Sequence, residues 1–427
     1  MIEYGVDLDI NRQKRKPFGL RADRIHRTFP LDDAKPGGIL KVLLSKIIYE
    51  YIVPNSMYIS FKAKPISTDK ATTFVQNLGR AIVNEKTLNF NGKRAIVNNN
   101  YDEYKIYCDL WLSKAERRSR ILQGIQDEKG LKYRLDAKKD AAGTALTGLT
   151  DEDKALKVAY NATFYIPVED ELFNDVCPFY PYCVNDNVTL EIKLAEAKDV
   201  LLSTDQNATF ELSNIHLEWD AIKDNELAQE ISSLYSSGCG VHYDRIQFLR
   251  EENCNKSSSL ININIRESLR SLRGVLILFK DMNDQKKYAC NREKFFNPYV
   301  EKIKITINGK SNQLYTNGIT PKDLWYEACK FFQHVPTNMT QGAFYNDKFC
   351  IWIDTRSSTD NTLHGNGMRL DGSNSGLTLT IKKAAAGSGD MKMYIFLVID
   401  AVIEFSNNSY KKVCYALDSC STGDADE

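Results

Sequence analysis

The chain has 427 residues, and its 56 basic and 56 acidic side chains cancel. That length allows two domains of ordinary size, and the charge balance excludes a global field that would draw nucleic acid or a membrane. No run reaches the roughly 18 apolar residues that a span needs, and the opening MIEYGVDLDI carries acids instead of an apolar core, so neither a membrane span nor a signal peptide is expected.

Residues 1–38 read as a basic arm. Arg12, Lys14, Arg15, Lys16, Arg21, Arg24 and Arg27 supply the charge, and Pro17, Gly19, Pro30, Pro36, Gly37 and Gly38 break regular structure. Such an arm suits nucleic acid or an acidic partner surface; the plainer reading is a solvated or packed terminal arm. Ile39 to Lys64 then holds two extended runs, ILKVLLSKIIYEYI and MYISFKAK, rich in β-branched and aromatic residues. Asn91-Gly92 predicts a two-residue hairpin turn, because both central positions need positive φ. A short aromatic helix is expected over Tyr101–Leu112.

Residues 113–157 differ in kind. Charge, Ala and Gly replace the strand pattern, so an inserted loop with short helices is expected. Strand pattern resumes at Phe164-Tyr-Ile-Pro-Val-Glu-Asp170, followed by the Pro/aromatic corner CPFYPYC (177–183), Thr189-Leu-Glu-Ile-Lys193 and the long strand Phe210 to Asp220. In that last strand Leu212, Asn214, His216, Glu218 and Asp220 alternate with Glu211, Ser213, Ile215, Leu217 and Trp219, which predicts two distinct faces. NELAQEISSLY predicts a helix within the linker, and Ser236 to Gly240 frees the chain beyond it.

The second half opens with HYDRIQFLREE, SSLININIRESL and LRGVLILFKD, three expected strands. Tyr299 to Phe332 then reads as strand, Asn308-Gly309 turn, second extended run, and a helix begun by Thr320-Pro321, with Asp323 near the positive end of its dipole. Leu324, Trp325, Cys329 and Phe332 give that helix an apolar stripe. A polar loop follows over 354–376, then Thr378-Leu-Thr-Ile-Lys382, the strand Met393 to Phe405, and an acidic tail over 411–427 expected to be disordered.

The second half repeats the first, with the opening matches roughly 215 residues apart and the later ones closer because the first copy carries about 29 extra residues after Trp111. Asn91-Gly92-Lys93 returns as Asn308-Gly309-Lys310, and Asp109-Leu110-Trp111 as Asp323-Leu324-Trp325. Phe164 to Asp170 returns as Phe349 to Asp354, Thr189 to Lys193 as Thr378 to Lys382, and Phe210 to Asp220 as Met393 to Phe405. Five elements in one order indicate a duplicated domain. Short strands at this spacing, with one crossover helix per copy, predict an all-β fold of two tandem eight-stranded antiparallel jelly rolls. The expected boundaries are 1–38 for the arm, 39–225 for the first jelly roll, 226–410 for the second, and 411–427 for the tail.

Chemistry-bearing residues are sparse. Ten cysteines are spread over the chain; Cys108, Cys329 and Cys350 fall in apolar runs and read as small hydrophobes in a reducing compartment. Cys177 and Cys183 are the nearest pair, with no second pair or clustered His to complete a metal site. Asn161, Asn187 and Asn207 begin glycosylation sequons, expected to go unused. An enzyme would need convergent acids or a nucleophile with a base, and the candidates are Glu169 with Asp170 and Asp354 with His364. There is no phosphate loop or hydrolase motif, and no cofactor or metal is expected. Trp111, Trp219, Trp325 and Trp352 all fall in predicted helices or strands, which argues for core packing over a sugar platform.

The duplicated strands, the D-L-W helix of each half and the closing IDAVIEF strand resemble the double jelly-roll major capsid proteins, over about residues 35–410. That lineage includes adenovirus hexon, tailless phages, virophages, and the Maverick/Polinton and adintovirus-like elements. The resemblance implies a structural subunit, not an enzyme, that trimerises into pseudo-hexameric capsomers and tiles an icosahedral shell around a DNA genome, assembled in the host nucleus or cytoplasm. It implies as partners further copies of the chain, penton or vertex proteins and minor capsid proteins. It also places Arg12, Lys14, Arg15 and Lys16 inward, toward packaged DNA or a partner. The alternatives are a tandem β-sandwich carbohydrate-binding module and a glycan-processing enzyme.

Overall fold

The computed structural model describes residues 24–417 except 70, 138–143, 161, 174–178, 283–287, 289–290, 308, 312–316, 333–336, 359–362, 372–375 and 385–388. Strand accounts for 45% of it and helix for 23%, which fits an all-β frame carrying helical insertions. The chain divides into two compact units. One takes Met1–Asp102, Arg120–Tyr243 and Val402–Val413; the other takes Glu103–Ser119, Asp244–Ala401 and Cys414–Glu427.

In the first unit, β1 (Arg24–Pro30), β4 (Tyr58–Ile66), β8 (Thr163–Pro167) and β11 (Thr209–Lys223) form a sheet in the order β1-β11-β4-β8, with the short β3 (Glu50–Ile52) also on β11. A second sheet has the order β2-β9-β6-β7, from β2 (Ile39–Leu43), β6 (Val83–Phe90), β7 (Lys93–Asn99) and β9 (Val188–Leu194). The short strands β5 (Thr73–Phe74) and β10 (Leu201–Leu202) pair separately. Every one of these pairings with a defined register is antiparallel. The hairpin between β6 and β7 turns on Asn91 at φ 49° and Gly92 at φ 79°, as the dipeptide predicts.

The second unit repeats this order. β12 (Cys239–Cys254), β14 (Ser268–Asp281), β17 (Cys350–Asp354) and β20 (Met391–Ser406) run β12-β20-β14-β17, while β13 (Leu260–Ile265), β15 (Val300–Ile307), β16 (Lys310–Ser311) and β19 (Leu377–Lys383) run β13-β19-β15-β16. All four strand matches in the sequence repeat fall on equivalent positions: the turns at β6–β7 and β15–β16, then β8 with β17, β9 with β19, and β11 with β20. Duplication is therefore visible in the topology as well as in the sequence.

Helices cover one face of the second unit's first sheet. Leu276 lies opposite both Trp352 and Phe396, so these three side chains share one face. Tyr104 of α1 (Tyr101–Asp109) packs 5.7 Å from Phe396, and Phe331 of α2 (Pro321–Phe332) stacks at 3.9 Å on Trp352. Gly274 lies on the same face, where a Cβ would come within 2.4 Å of the Trp352 ring. The other face, with Val275, Ile277, Ile351, Ile395 and Leu397, is fully buried as well. This explains why β14 and β20 read as unbroken apolar runs: both faces are covered.

Several local expectations change. Alternation along β11 fails at Asn214, which adopts φ 51° at a bulge between Ser213 and His216. The extra residue switches the parity, so Leu212 is buried along with Ile215, Leu217 and Trp219 instead of facing out with Glu218 and Asp220. Part of the predicted arm is strand β1, which tolerates Pro30 at its last position because an edge strand can lack a donor there. The polar loop 354–376 includes strand β18 (Met368–Asp371) on β14, and strand β21 (Ser409–Cys414) on β20 occupies the start of the predicted tail. The helix assigned to the first copy packs, from Glu103 onward, into the second unit. Trp325 is only half-buried, whereas Trp111 is enclosed.

Candidate functional site

Three consecutive acids follow β8, and none is positioned for catalysis on a bound substrate. Glu169 pairs with the buried Arg80 and, at 3.5 Å, with Arg120. Asp170 accepts from Lys86 Nζ at 2.8 Å and from the Tyr101 hydroxyl. Glu171 Oε2 lies 2.7 Å from the same Nζ, and its Oε1 accepts from Asn98 Nδ2 at 2.8 Å. Lys86 and Asn98 are direct cross-strand partners on β6 and β7, so a single carboxylate spans both. The Lys86 and Glu171 side chains are each 3% exposed. Glu171 adopts φ 55°, a left-handed conformation that a non-glycine residue holds only when its surroundings impose it. Burial first, then the Asp170 carboxylate, pushes the Tyr101 phenol well above its usual range, so Tyr101 stays an O–H donor.

The second pair suggested by the sequence does not form. Asp354 accepts a two-pronged contact from Arg356, while His364 Nδ1 lies 3.5 Å from Asp400 Oδ1. Asp400 also accepts from Ser271 Oγ and, at 3.0 Å, from Gly365 N. Burial works to raise its carboxyl, but His364, Ser271, Arg273 and Gly365 hold it below its usual value. Asp244, His364 and Asp400 could in outline hold a metal ion. However, the Arg273 guanidinium, 1% exposed, already sits between Asp244 and Asp400. A divalent ion there would meet a fixed positive charge, so the cluster is a partly buried ion network. Its sequence signal was the lone Asp within IDAVIEF, an acid in an apolar strand that demands a buried cation.

The remaining candidates are structural. Trp111, Trp219 and Trp352 are buried, so they offer no stacking platform. Cys183 is buried against the Ala228 carbonyl, with its thiol pushed up by burial to about 11; Cys177 lies outside the described residues, as does Asn161. Arg12, Lys14, Arg15 and Lys16 also lie outside them. The basic stretch enters the described residues at β1, which is held to β11 by charge: His26 Nδ1 contacts Asp220 at 3.0 Å, His26 Nε2 contacts Glu218 at 3.0 Å, and Arg24 Nε donates to Asp220 at 3.1 Å. Phe29 stacks on Trp219 at 4.6 Å. Hydrogen bonds donated to the Asp220 and Glu218 carboxylates raise the His26 pKa above its usual 6.5.

What the surface does present is apolar side chains at matching edges. β2 and β13 are the end strands of equivalent sheets. Their outward positions include Ile39 and Leu43, 57% and 60% exposed, and Leu260, 53% exposed. Edge strands with exposed apolar residues invite pairing or packing with another chain. Among the described residues, no helix is long and apolar enough to cross a membrane.

No protein-family model matches the chain, and no curated protein matches it. Solved structures do. The PBCV-1 virus capsid structure aligns with TM-score 0.64 at 10% identity, covering 92% of this chain and 97% of that one. The faustovirus major capsid protein aligns with TM-score 0.55 at 8% identity, covering 93% and 94%. The mavirus major capsid protein aligns with TM-score 0.52 at 8% identity, covering 91% and 90%. The chain therefore has the double jelly-roll fold along nearly its whole length.

Proposed function

We propose that this chain is a major capsid protein, a structural subunit that forms homotrimers whose six jelly rolls make a pseudo-hexameric capsomer. The observation that carries the reading is the fold: similarity to viral capsid structures spans both copies and nearly the full length of each protein compared. Two equivalent jelly rolls per chain and three chains per ring give six similar sides, which is what tiling a shell requires. The matching apolar edges at β2 and β13 are consistent with packing against further copies. The sequence acids that an enzyme would use, Glu169, Asp170 and Asp354, are instead engaged by Arg80, Lys86 and Arg356.

The proposal takes 39–225 and 226–410 as the two jelly rolls and places the protein in the virion capsid, with vertex and minor capsid proteins as neighbours. The arm bearing Arg12, Lys14, Arg15 and Lys16 would face the packaged DNA or an inner partner. Mass photometry of the purified chain, followed by electron microscopy of the protein expressed alone, tests the reading. A stable trimer and hexagonal arrays or shells are expected; a monomer that binds glycans would overturn it. Deletion of Met1 to Lys16 should leave the trimer intact while lowering particle yield or genome retention, and unchanged particles and cargo would remove the role given to the arm.

A further inference from the structure

Lys86, Asp170 and Glu171 form a buried constellation between the two sheets of the first unit. One buried amine meets two carboxylates at 2.8 and 2.7 Å, enclosed by the Tyr101 ring, whose centroid lies 5.1 Å from Nζ. Lys86 comes from β6 in one sheet, and the two acids follow β8 in the other. From this geometry we infer that Lys86 and Asp170 condense into an intramolecular isopeptide bond that welds the two sheets of the first jelly roll, with Glu171 carrying the proton.

The reaction needs a neutral amine facing a neutral carboxylic acid. Moving one proton from the Lys86 ammonium to the Asp170 carboxylate, which it already contacts at 2.8 Å, supplies both. The Nζ lone pair then attacks Asp170 Cγ, forming the C–N bond. The Tyr101 hydroxyl donates to Asp170 Oδ2, the same oxygen that Nζ meets and protonates, and so assists its departure as water. Glu171 takes a proton from the nitrogen and delivers it to the departing hydroxyl. The C–O bond breaks, one water leaves, and Glu171 returns to carboxylate. No oxidant, reductant or further reactant is consumed. Amide formation is unfavourable between free groups in water, but here the partners are held at contact distance where water is scarce. Glu171 is suited to its part because Asn98 fixes its other oxygen and the strained backbone holds it there.

Intact mass measurement of the denatured full-length chain, followed by fragment mapping of its digest, tests the bond. The folded wild type should be lighter than its sequence by one water and yield a branched peptide joining Lys86 to Asp170. The variant E171Q keeps both reacting groups and should show the unmodified mass, as should K86R, which keeps the charge without the nucleophile. An unmodified wild-type mass overturns the inference irrespective of how the variants fold. Loss of one ammonia with a link to Asn98 overturns the assignment to Asp170. Loss of water without a branched peptide points to a cyclic imide at Asp170 and overturns the cross-link.

Discussion

Trp111→Ala should be far more damaging than Trp325→Ala, although both rings belong to one aromatic cluster. The indole is 1% exposed and stacks on Trp325 at 5.5 Å and 24°, on Phe332 at 5.5 Å and 18°, and meets Phe344 edge-on at 6.2 Å. Removing it leaves a cavity walled by large aromatic rings that cannot easily collapse. Buried Trp and Phe truncations cost about 3–5 kcal/mol, and rigid walls put the site toward the upper end. Each lost aromatic pair, at about 0.5–1.5 kcal/mol, is contained in that figure. Trp325 touches the same cluster but is only partly buried, so Trp325→Ala should cost clearly less. The Thr337 hydroxyl donates to the Trp111 carbonyl at 2.7 Å, a bond that both variants retain, so the difference isolates the ring. Denaturant unfolding followed by circular dichroism gives the comparison. If Trp325→Ala costs as much as Trp111→Ala, or Trp111→Ala shifts nothing, the placement of Glu103–Ser119 in the second unit's core is wrong.

Two further outcomes follow from charge. Glu103 is buried between Lys280 Nζ at 3.2 Å and Arg292 Nη2 at 3.0 Å; Glu103→Gln removes the buried charge that both cations meet and should cost about 3–5 kcal/mol. Burial pushes that carboxyl up, but Arg292 and Lys280 more than offset it and hold it below its usual 4.5, so its contribution is present above 4.5 and lost as pH falls through the lower folded value. An acid titration in which Glu103→Gln keeps the wild-type slope below pH 4.5 would contradict this. For His26 the sign reverses. Its raised pKa means that its stabilisation is complete below 6.5 and is lost as pH rises through the folded value, and His26→Gln should flatten the melting temperature between about pH 6 and 9. Equal slopes in the two proteins would show that the ring does not clamp β1.

Local chemistry made much of this fold readable. The Asn91-Gly92 turn needs positive φ at two positions and has it; the helix over Pro321–Phe332 begins where Thr320 and Asp323 exchange contacts, Thr320 N donating to Asp323 at 2.9 Å. Ordered repetition of such signals revealed the duplication and, through it, the double jelly roll. Parity along β11 was not readable, because one bulged residue at Asn214 inverts the faces and no local composition announces it. The roles of the acids were equally hidden. Glu169, Asp170 and Asp354 look alike as residues at strand ends, and only folding brings Arg80, Lys86 and Arg356 against them.

The residue order by itself determined which segments extend, where they turn and that the plan occurs twice, since propensity and turn geometry act over a few neighbouring positions. Tertiary structure alone decided which copy's core receives the helix after Asp102, which cation meets which acid, and that Lys86 faces two carboxylates. Those outcomes depend on contacts between residues far apart in the chain, whose free energy is set by burial and mutual distance and leaves no mark on local sequence pattern.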